Sequence, residues 1–424
     1  MRVLIVNTSE NTGGAAVAAR RLMNALNANG VKAKLLVAEK TSDNVSVVAL
    51  PSRLRHSWHF LRERWSIFVR CCFSRKHLFE IDTACAGTDI TRLREFKEAD
   101  VIHLSWVNQG MLSLTGIRKI LESGKPVVWT MHDLWPASSI CHYARGCTHF
   151  QTGCHHCPLL PRGGGRRDQS YKVWQRKAQM LGGKSIHFVA CSKWLAGEAR
   201  KSGLLHDQYI TDIPNPIDSR LYRAGDKTQA RKAVGLPEDK RVVLFVSQRV
   251  TDERKGMPYF VEALQKMVEQ HPAMKENTVV AVLGGHAEEV TAQLPVQAIP
   301  LGYVSDVNRI VQVYQAADVY VLPSLEDNLP NTLMEAMACG VPCVGFSVGG
   351  IPEMIDHERN GYVARPRDAA DLAEGMYYVL CGPNYEELSR EALKKVALNY
   401  SQPHVAMKYI DVYEHALAQK NYLL

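Results

Sequence analysis

The sequence predicts an α/β protein built from two doubly wound, Rossmann-like domains, and three observations carry that expectation. At 424 residues the chain exceeds one ordinary core and suits two domains of about 200 residues each. Short β-rich runs alternate with amphipathic helical stretches from one end to the other, the rhythm of parallel sheets with crossover helices. The alternation pauses at Ile213-Pro214-Asn215-Pro216-Ile217-Asp218 and resumes near Lys240, and prolines so closely spaced cannot continue a helix.

The pause divides the chain into an N-terminal domain over 1–214 and a C-terminal domain over 215–403. Strands are expected in the first at Arg2–Val6, Ala33–Val37, Val101–Trp106, Val127–Met131 and His187–Cys191. In the second they are expected at Val242–Val246, Val279–Leu283, Val319–Leu322 and Cys343–Phe346. Val17–Asn29 places Leu22, Ala25 and Leu26 on one face and is closed by Gly30, so it reads as a crossover helix. After the break at Pro403, His404–Ala418 reads as a last helix within 404–424, able to pack on either domain, a return to the N-terminal one included. Open sheets of this kind bind ligands outside the carboxyl ends of their strands, which places the expected site in a cleft between the two domains.

Composition narrows the class. Hydrophobic content of 46% and charged content of 22% exclude wholesale disorder. The chain enters a strand at once, without secretory signal features, and no run approaches the roughly 18 apolar residues of a membrane span. Eleven cysteines without a signal point to a reducing compartment, so a cytoplasmic location is expected. The net charge of +8 is unevenly spread: Arg53 to Lys76 holds seven Lys or Arg against Glu63 alone, interleaved with Trp58, Phe60, Trp65, Phe68 and Phe73. Such a mixture, over 53–80, suits the anionic inner face of a membrane. It equally suits a solvated helix whose aromatics pack on their own domain. No nucleic-acid motif accompanies the charge, and no nucleic-acid partner is expected.

The densest chemical signal is VYVLPSLEDNLPNTLMEAMACGVP, Val319 to Pro342. A buried strand ends at Pro323, a polar loop carries Glu326, Asp327 and Asn328, and a helix opens around Pro330 and Asn331. Backbone N–H groups at that helix start can donate to phosphate or hydroxyl oxygens. Glu335 lies on the same face as Asn331 and can accept from two vicinal hydroxyls, as a ribose offers.

This segment resembles the E-x7-E region of glycosyltransferase family 4, retaining enzymes of the GT-B fold. Pro323-Ser324, Glu335-Ala336-Met337-Ala338, Gly340-Val341-Pro342 and Gly349-Gly350 with Glu353 follow that family's order and spacing. The resemblance implies that the first acid faces the transferred sugar and the second the ribose. Here the first position is the shorter Asp327, giving Asp327-x7-Glu335, which bears on the sugar contact. Asn328, Leu329, Asn331 and Thr332 belong to the same implied donor grip.

A second loop, Ser247-Gln248-Arg249-Val250-Thr251-Asp252-Glu253-Arg254-Lys255-Gly256, follows an expected strand. With no metal-ligand motif near it, Arg249 and Lys255 are the candidates to neutralise a diphosphate, a role the resemblance also implies. The family spacing is usually one residue shorter, so Arg254 is able to replace either; a solvated turn is the plain structural reading. His132 ends a strand beside Asp133, where the resemblance implies a histidine next to the donor sugar. Gly13-Gly14 matches the family's glycine pair and Tyr303-Val304 its base-binding loop. No G-x-G-x-x-G follows the first strand, which counts against a dinucleotide oxidoreductase.

The segment from Cys141 to Cys157 holds Cys141, Cys147, Cys154 and Cys157 among several histidines. A terminal C-x2-C with two further cysteines suits a structural zinc; reduced thiols and disulfides are the alternatives. Arg162-Gly163-Gly164-Gly165-Arg166-Arg167 beside it reads as a flexible basic loop.

Taken together, the resemblance implies a retaining hexosyl transfer from a UDP- or GDP-sugar without a catalytic cofactor or metal. The acceptor would be a glycan or lipid-linked glycan, in capsule, exopolysaccharide or lipopolysaccharide assembly at the inner membrane face. The departure at Asp327 motivates the alternative, a catalytically weak sugar-nucleotide-binding protein.

Overall fold

The computed structural model describes residues 1–421 and divides them into two compact units. Met1–Pro216 together with Val405–Asn421 form one unit, and Ile217–His404 forms the other.

The first unit carries β1 (Arg2–Val6), β2 (Lys32–Val37), β3 (Val47–Ala49), β4 (Val101–Leu104), β5 (Val127–Met131), β6 (His187–Ala190) and β7 (Tyr209–Asp212). They form one parallel sheet in the order β3-β2-β1-β4-β5-β6-β7. Alternate residues serve opposite faces: Leu4, Val6, Leu104, Trp129 and Phe188 enter one core, and Val3, Ile5, Val101, Val128 and Val189 the other. Burial on both faces is why these strands read as unbroken apolar runs.

The second unit carries β8 (Arg241–Arg249), β9 (Thr278–Gly285), β10 (Gln297–Gly302), β11 (Val319–Leu322), β12 (Cys343–Phe346) and β13 (Gly361–Ala364). Their order is β10-β9-β8-β11-β12-β13, again parallel throughout. Val243, Phe245, Val282, Val321 and Phe346 anchor its core against the helices Met257–Gln270 and Ala369–Cys381.

Four strands escaped the sequence reading: β3, β7, β10 and β13. All four are sheet edges. An edge strand is partly solvated and loses the continuous apolar run; β7 and β10 have no fully buried residue. The strand expected over Val101–Trp106 stops at Leu104, and the one expected over Val242–Val246 extends to Arg241–Arg249. The helix expected from Val17 begins at Gly14, with Gly13 at φ +91° as its N-cap.

The last helix, Gln402–Asn421, starts before Pro403 instead of after it, because a proline in the first turn forfeits no helical hydrogen bond. It covers the Val3/Ile5 face of the first sheet with Val405, Tyr409, Val412 and Tyr413. Its hydroxyls meet the sheet's buried polar groups: Tyr409 Oη lies 2.8 Å from Thr130 Oγ1, and Tyr413 Oη 2.5 Å from His103 Nδ1. His103 Nε2 meets Thr130 Oγ1 at 2.8 Å.

Burial pushes the His103 imidazole down to about 3, and that of His187 in the same unit to about 4. An unfolded histidine titrates near 6.5, so on acidification the unfolded chain binds these protons first. The stability they contribute is therefore complete above about pH 6.5 and is lost as pH falls toward the folded values. All seven tryptophans lie before residue 216, so intrinsic fluorescence follows the first unit. Its melting temperature should fall steadily from about pH 6.5 to about pH 4, and His103→Gln should flatten that slope; an equal slope in the variant counts against the assignment.

Candidate functional site

Strand order reverses once in each sheet, between β1 and β4 and between β8 and β11. Loops leaving the two strands at such a point diverge, and ligands bind there. In the second unit β8 delivers the 250–256 loop and β11 the 323–330 loop.

Glycine permits these loops to touch. At Gly256, φ +74°, a Cβ would stand 1.9 Å from Pro323 O, and Leu325 N–H donates to Arg254 O at 2.8 Å. At Gly349, φ +55°, a Cβ would stand 1.6 Å from Asp327 O, while Gly350 N–H donates to Asn328 O at 2.8 Å. Three loops thus close around Asp327.

Asp327 is buried, and its carboxylate is answered from several sides. Lys255 Nζ donates to Oδ2 at 2.6 Å, Ser324 Oγ at 3.2 Å, and Asn328 N–H donates to Oδ1 at 3.1 Å. Burial alone would raise this acid, but the charges of Lys255 and Arg254 and these hydrogen bonds hold it below the usual carboxylate range. Two residues expected to meet different parts of a ligand are therefore paired with each other. Arg254, expected as a substitute phosphate ligand, is engaged in the frame: it donates to Glu326 O at 3.0 Å and pairs with Asp252 and Asp327. Arg249 is exposed at the end of β8, with Nε 3.0 Å from Thr251 Oγ1.

The helix Asn331–Ala338 has Pro330 as its N-cap and no side-chain cap. Glu335 is buried in its second turn, with Oε2 accepting from Tyr314 Oη at 3.0 Å; Thr332 Oγ1 meets Tyr320 Oη at 2.8 Å. Asn328 and Leu329 are buried too, whereas Tyr303 is 68% exposed and Val304 half-buried beyond the end of β10. Tyr314 and Tyr320, which fix the two helix residues, had no distinguishing mark within their apolar runs.

In the first unit Gly13-Gly14 follows β1, Ser105-Trp106 follows β4 and His132-Asp133 follows β5. Nothing within the chain lies within 4 Å of a Cβ at Gly13, so glycine is required there by its positive φ. His132 Nε2 sits 2.9 Å from Ser105 Oγ, and burial brings its pKa down to about 4, so the ring is neutral near pH 7. Asp133 accepts from Trp106 Nε1 at 3.0 Å and from Trp135 N–H at 2.9 Å, and meets His142 Nδ1 at 2.7 Å. His142 Nε2 in turn meets Asp82 at 2.7 Å, and Asp82 takes Arg64. Burial would lower His142, but the two aspartates outweigh it and raise it to about 10, so it is an imidazolium with both nitrogens donating. This chain of charges is absent from the sequence reading because Asp82, His142 and Arg64 are far apart in the chain.

The four cysteines singled out by spacing all line one cavity of about 20 Å³, together with His149 and His155. All are reduced. Among the described residues no three such side chains stand in ligating positions as placed. The 162–167 stretch, read as a flexible loop, is tied back: Asp168 Oδ2 accepts from Gly165 N–H at 3.2 Å and Cys157 N–H at 3.0 Å, and His156 N–H donates to Gly165 O at 3.1 Å.

The basic, aromatic segment forms the helix Arg53–Arg70, and its faces are inverted relative to a core helix. Glu63 and Arg64 turn inward, so neither belongs to the surface charge. Glu63 accepts from the N–H groups of Thr83 (3.0 Å), Ala84 (2.6 Å) and Gly110 (3.1 Å). Leu54, Trp58, Leu61, Trp65 and Val69 form an exposed stripe at helical spacing, each at least 41% accessible. The aromatics of this segment therefore do not all pack on their own unit. No helix among the described residues is long and apolar enough to cross a membrane.

Removing the charge on Asp327 leaves the partly buried Lys255 without its partner. Asp327→Asn should destabilise the second unit by about 3 kcal/mol, and adding Lys255→Met should recover most of that. Urea titration followed by far-UV circular dichroism measures the cycle, and additive effects would mean the two residues are not coupled.

Two family models match the chain: Glycosyltransferase Family 4 over residues 12–221 and Glycosyl transferases group 1 over residues 240–381. An uncharacterized glycosyltransferase of Methanocaldococcus jannaschii is 32% identical over 195 residues, covering 45% of this chain and 49% of that protein. A D-inositol 3-phosphate glycosyltransferase of Saccharomonospora viridis is 29% identical over 221 residues, covering 49% and 51%. The matched stretch thus spans about half the length of these relatives. In fold, sucrose-phosphate synthase of Thermosynechococcus elongatus aligns over 99% of both chains with a TM-score of 0.69 at 17% identity. Anabaena HepE, solved with UDP and glucose, aligns over 98% of this chain and 100% of its own with a TM-score of 0.63 at 16% identity. With two Rossmann-like parallel sheets of the GT-B type and the two models together spanning most of its length, the chain belongs to the family 4 glycosyltransferases.

Proposed function

We propose that the protein is a retaining, metal-independent glycosyltransferase that moves a hexosyl group from a nucleoside-diphosphate sugar, a UDP- or GDP-sugar, to a glycan or lipid-linked glycan. The observation that carries this reading is the Lys255–Asp327 pair at the point where the second sheet reverses. Lys255 has three donors and Asp327 takes one, so the same ammonium can serve a diphosphate. As the glycosidic bond breaks, negative charge grows on the departing phosphate, and Lys255 and the exposed Arg249 stabilise that charge more than the bound donor. Asp327 is assigned to the sugar, Glu335 to the ribose, the start of the Asn331–Ala338 helix to phosphate oxygens and Tyr303-Val304 to the base. His132, neutral near pH 7, offers a hydrogen bond and no charge. HepE, solved with UDP and glucose, supports a nucleotide donor.

Lys255→Ala should lower turnover by about 10²–10³, the scale of one preorganised electrostatic donor. A purified variant with a near-normal rate would take Lys255 out of the reaction. Release of nucleoside diphosphate from a panel of UDP- and GDP-sugars tests the activity itself. Thermal stabilisation by a nucleotide with no turnover of any sugar would favour the binding-protein reading.

For the acceptor, we place the protein on the cytoplasmic face of the inner membrane, working in capsule, exopolysaccharide or lipopolysaccharide assembly. The support is the exposed Leu54-Trp58-Leu61-Trp65-Val69 stripe, flanked by Arg55, Arg62 and Arg70. Vesicles containing phosphatidylglycerol should sediment the protein at least about tenfold better than pure phosphatidylcholine, since each basic residue near an anionic surface is worth about 1 kcal/mol. Trp58→Glu with Trp65→Glu should abolish the preference; equal sedimentation with both lipids would argue for a soluble acceptor, such as the inositol phosphate in the name of the relative above.

A further inference from the structure

We infer that Cys141, Cys147, Cys154 and Cys157 form a structural tetrathiolate zinc site that fastens the loop between β5 and the helix Gln169–Leu181. Sulfurs separated by five, six and two residues are brought to one cavity whose volume, about 20 Å³, admits a single water-sized body. The segment that surrounds it has no core of its own. Between β5 and that helix the chain forms only 3₁₀ turns, Trp135–Ala137, His149–Gln151 and Pro161–Gly163, and such segments are commonly stapled by a metal or by disulfides.

A second observation points to an anionic occupant. Lys177 is fully buried on the helix behind the cavity; Nζ donates to Trp135 O at 2.5 Å and Ser138 O at 3.0 Å and lies 3.4 Å from the Trp135 ring centroid. Among the described residues no carboxylate forms an ion pair with it; the thiols of Cys141 and Cys154 act on it most strongly, and Asp133 and Asp82 act in the same direction. Burial disfavours the charged form of Lys177, and neutral thiols do nothing to offset that. When Zn²⁺ displaces the four thiol protons to solvent, the tetrathiolate carries a net charge of about −2, and Lys177 becomes its counter-ion.

Cysteine is favoured over histidine as the ligand. His149 also lines the cavity, but its Nδ1 is engaged by His155 O at 2.7 Å, and His142 is held between Asp82 and Asp133. As placed, the sulfurs do not converge to ligating distance, so the proposal requires the four thiols to turn toward one another when the metal binds. Asp168 fixes the backbone at Cys157, giving the terminal C-x2-C a rigid base.

The full-length chain, purified without chelator, should contain about one zinc per molecule by plasma mass spectrometry, releasable by a mercurial thiol reagent. Exchange with Co²⁺ should produce thiolate-to-cobalt charge transfer and the visible absorption of a tetrahedral site. Cys147→Ser, at the half-exposed ligand, should weaken Co²⁺ binding by about tenfold or more, whereas Cys72→Ser, at an exposed cysteine elsewhere, should not. Wild-type protein without stoichiometric metal and without cobalt–thiolate absorption overturns the proposal, as does mapping of disulfides among the four cysteines.

Discussion

β8 and β11 lie side by side at the centre of the second sheet, and the chain leaves them in opposite directions. Everything in the candidate donor site follows from that divergence. The 250–256 loop and the 323–330 loop start as neighbours, and glycines at 256 and 349 let backbone approach backbone with no side chain between. Asp327 is enclosed as a result. An enclosed carboxylate must be compensated, and the nearest cation, on the neighbouring strand's loop, is Lys255. The ion pair is a consequence of topology, and it holds the lysine at the strand ends where a diphosphate would need it.

The first unit solves the same problem with different groups. It buries Asp133 at the end of β5 and Asp82 in the stretch after the Arg53–Arg70 helix, and the compensating cation is His142, held between them as an imidazolium, with Arg64 beyond. A lysine would offer one point charge; the imidazolium donates along two opposed directions and so joins two carboxylates in a line. Asp133 is adjacent to His132, so the orientation of the end of β5 is fixed by charges that come from the Arg53–Arg70 helix and from the 141–157 loop.

What was legible in the sequence was set by burial. Central strands such as Val127–Met131 and Val319–Leu322 are covered on both faces and announce themselves as apolar runs; β7 and β10, at the edges, do not. Site residues were legible where the chain itself brings them together, as with Asp327 and Glu335 along one loop and helix. Pairings across long separations left no local trace. Lys255 with Asp327 and His142 with Asp82 each required two segments to be folded against one another before the contact existed. The charge count over 53–76 is legible in number, whereas the inward turn of Glu63 and Arg64 is not, because composition does not say which face of a helix turns inward.

That inversion gives the Arg53–Arg70 helix a mechanical role. Its inward side is anchored by Glu63, which holds three backbone N–H groups, by Arg64, which reaches Asp82, and by Ile67 in the core, while the stripe from Leu54 to Val69 is left outside. Displacing a helix docked by a buried carboxylate and guanidinium leaves charges unpaired, a cost added to that of disturbing close packing. Arg64 thus connects the helix to Asp82, Asp82 to His142, and His142 to Asp133 at the end of β5. Cys141 is the residue before His142, so a clamp on the cysteine loop fixes the same imidazolium from the other side. The outer face of the helix, the cysteine cavity and the strand end that bears His132 are thus joined by a single run of buried charges.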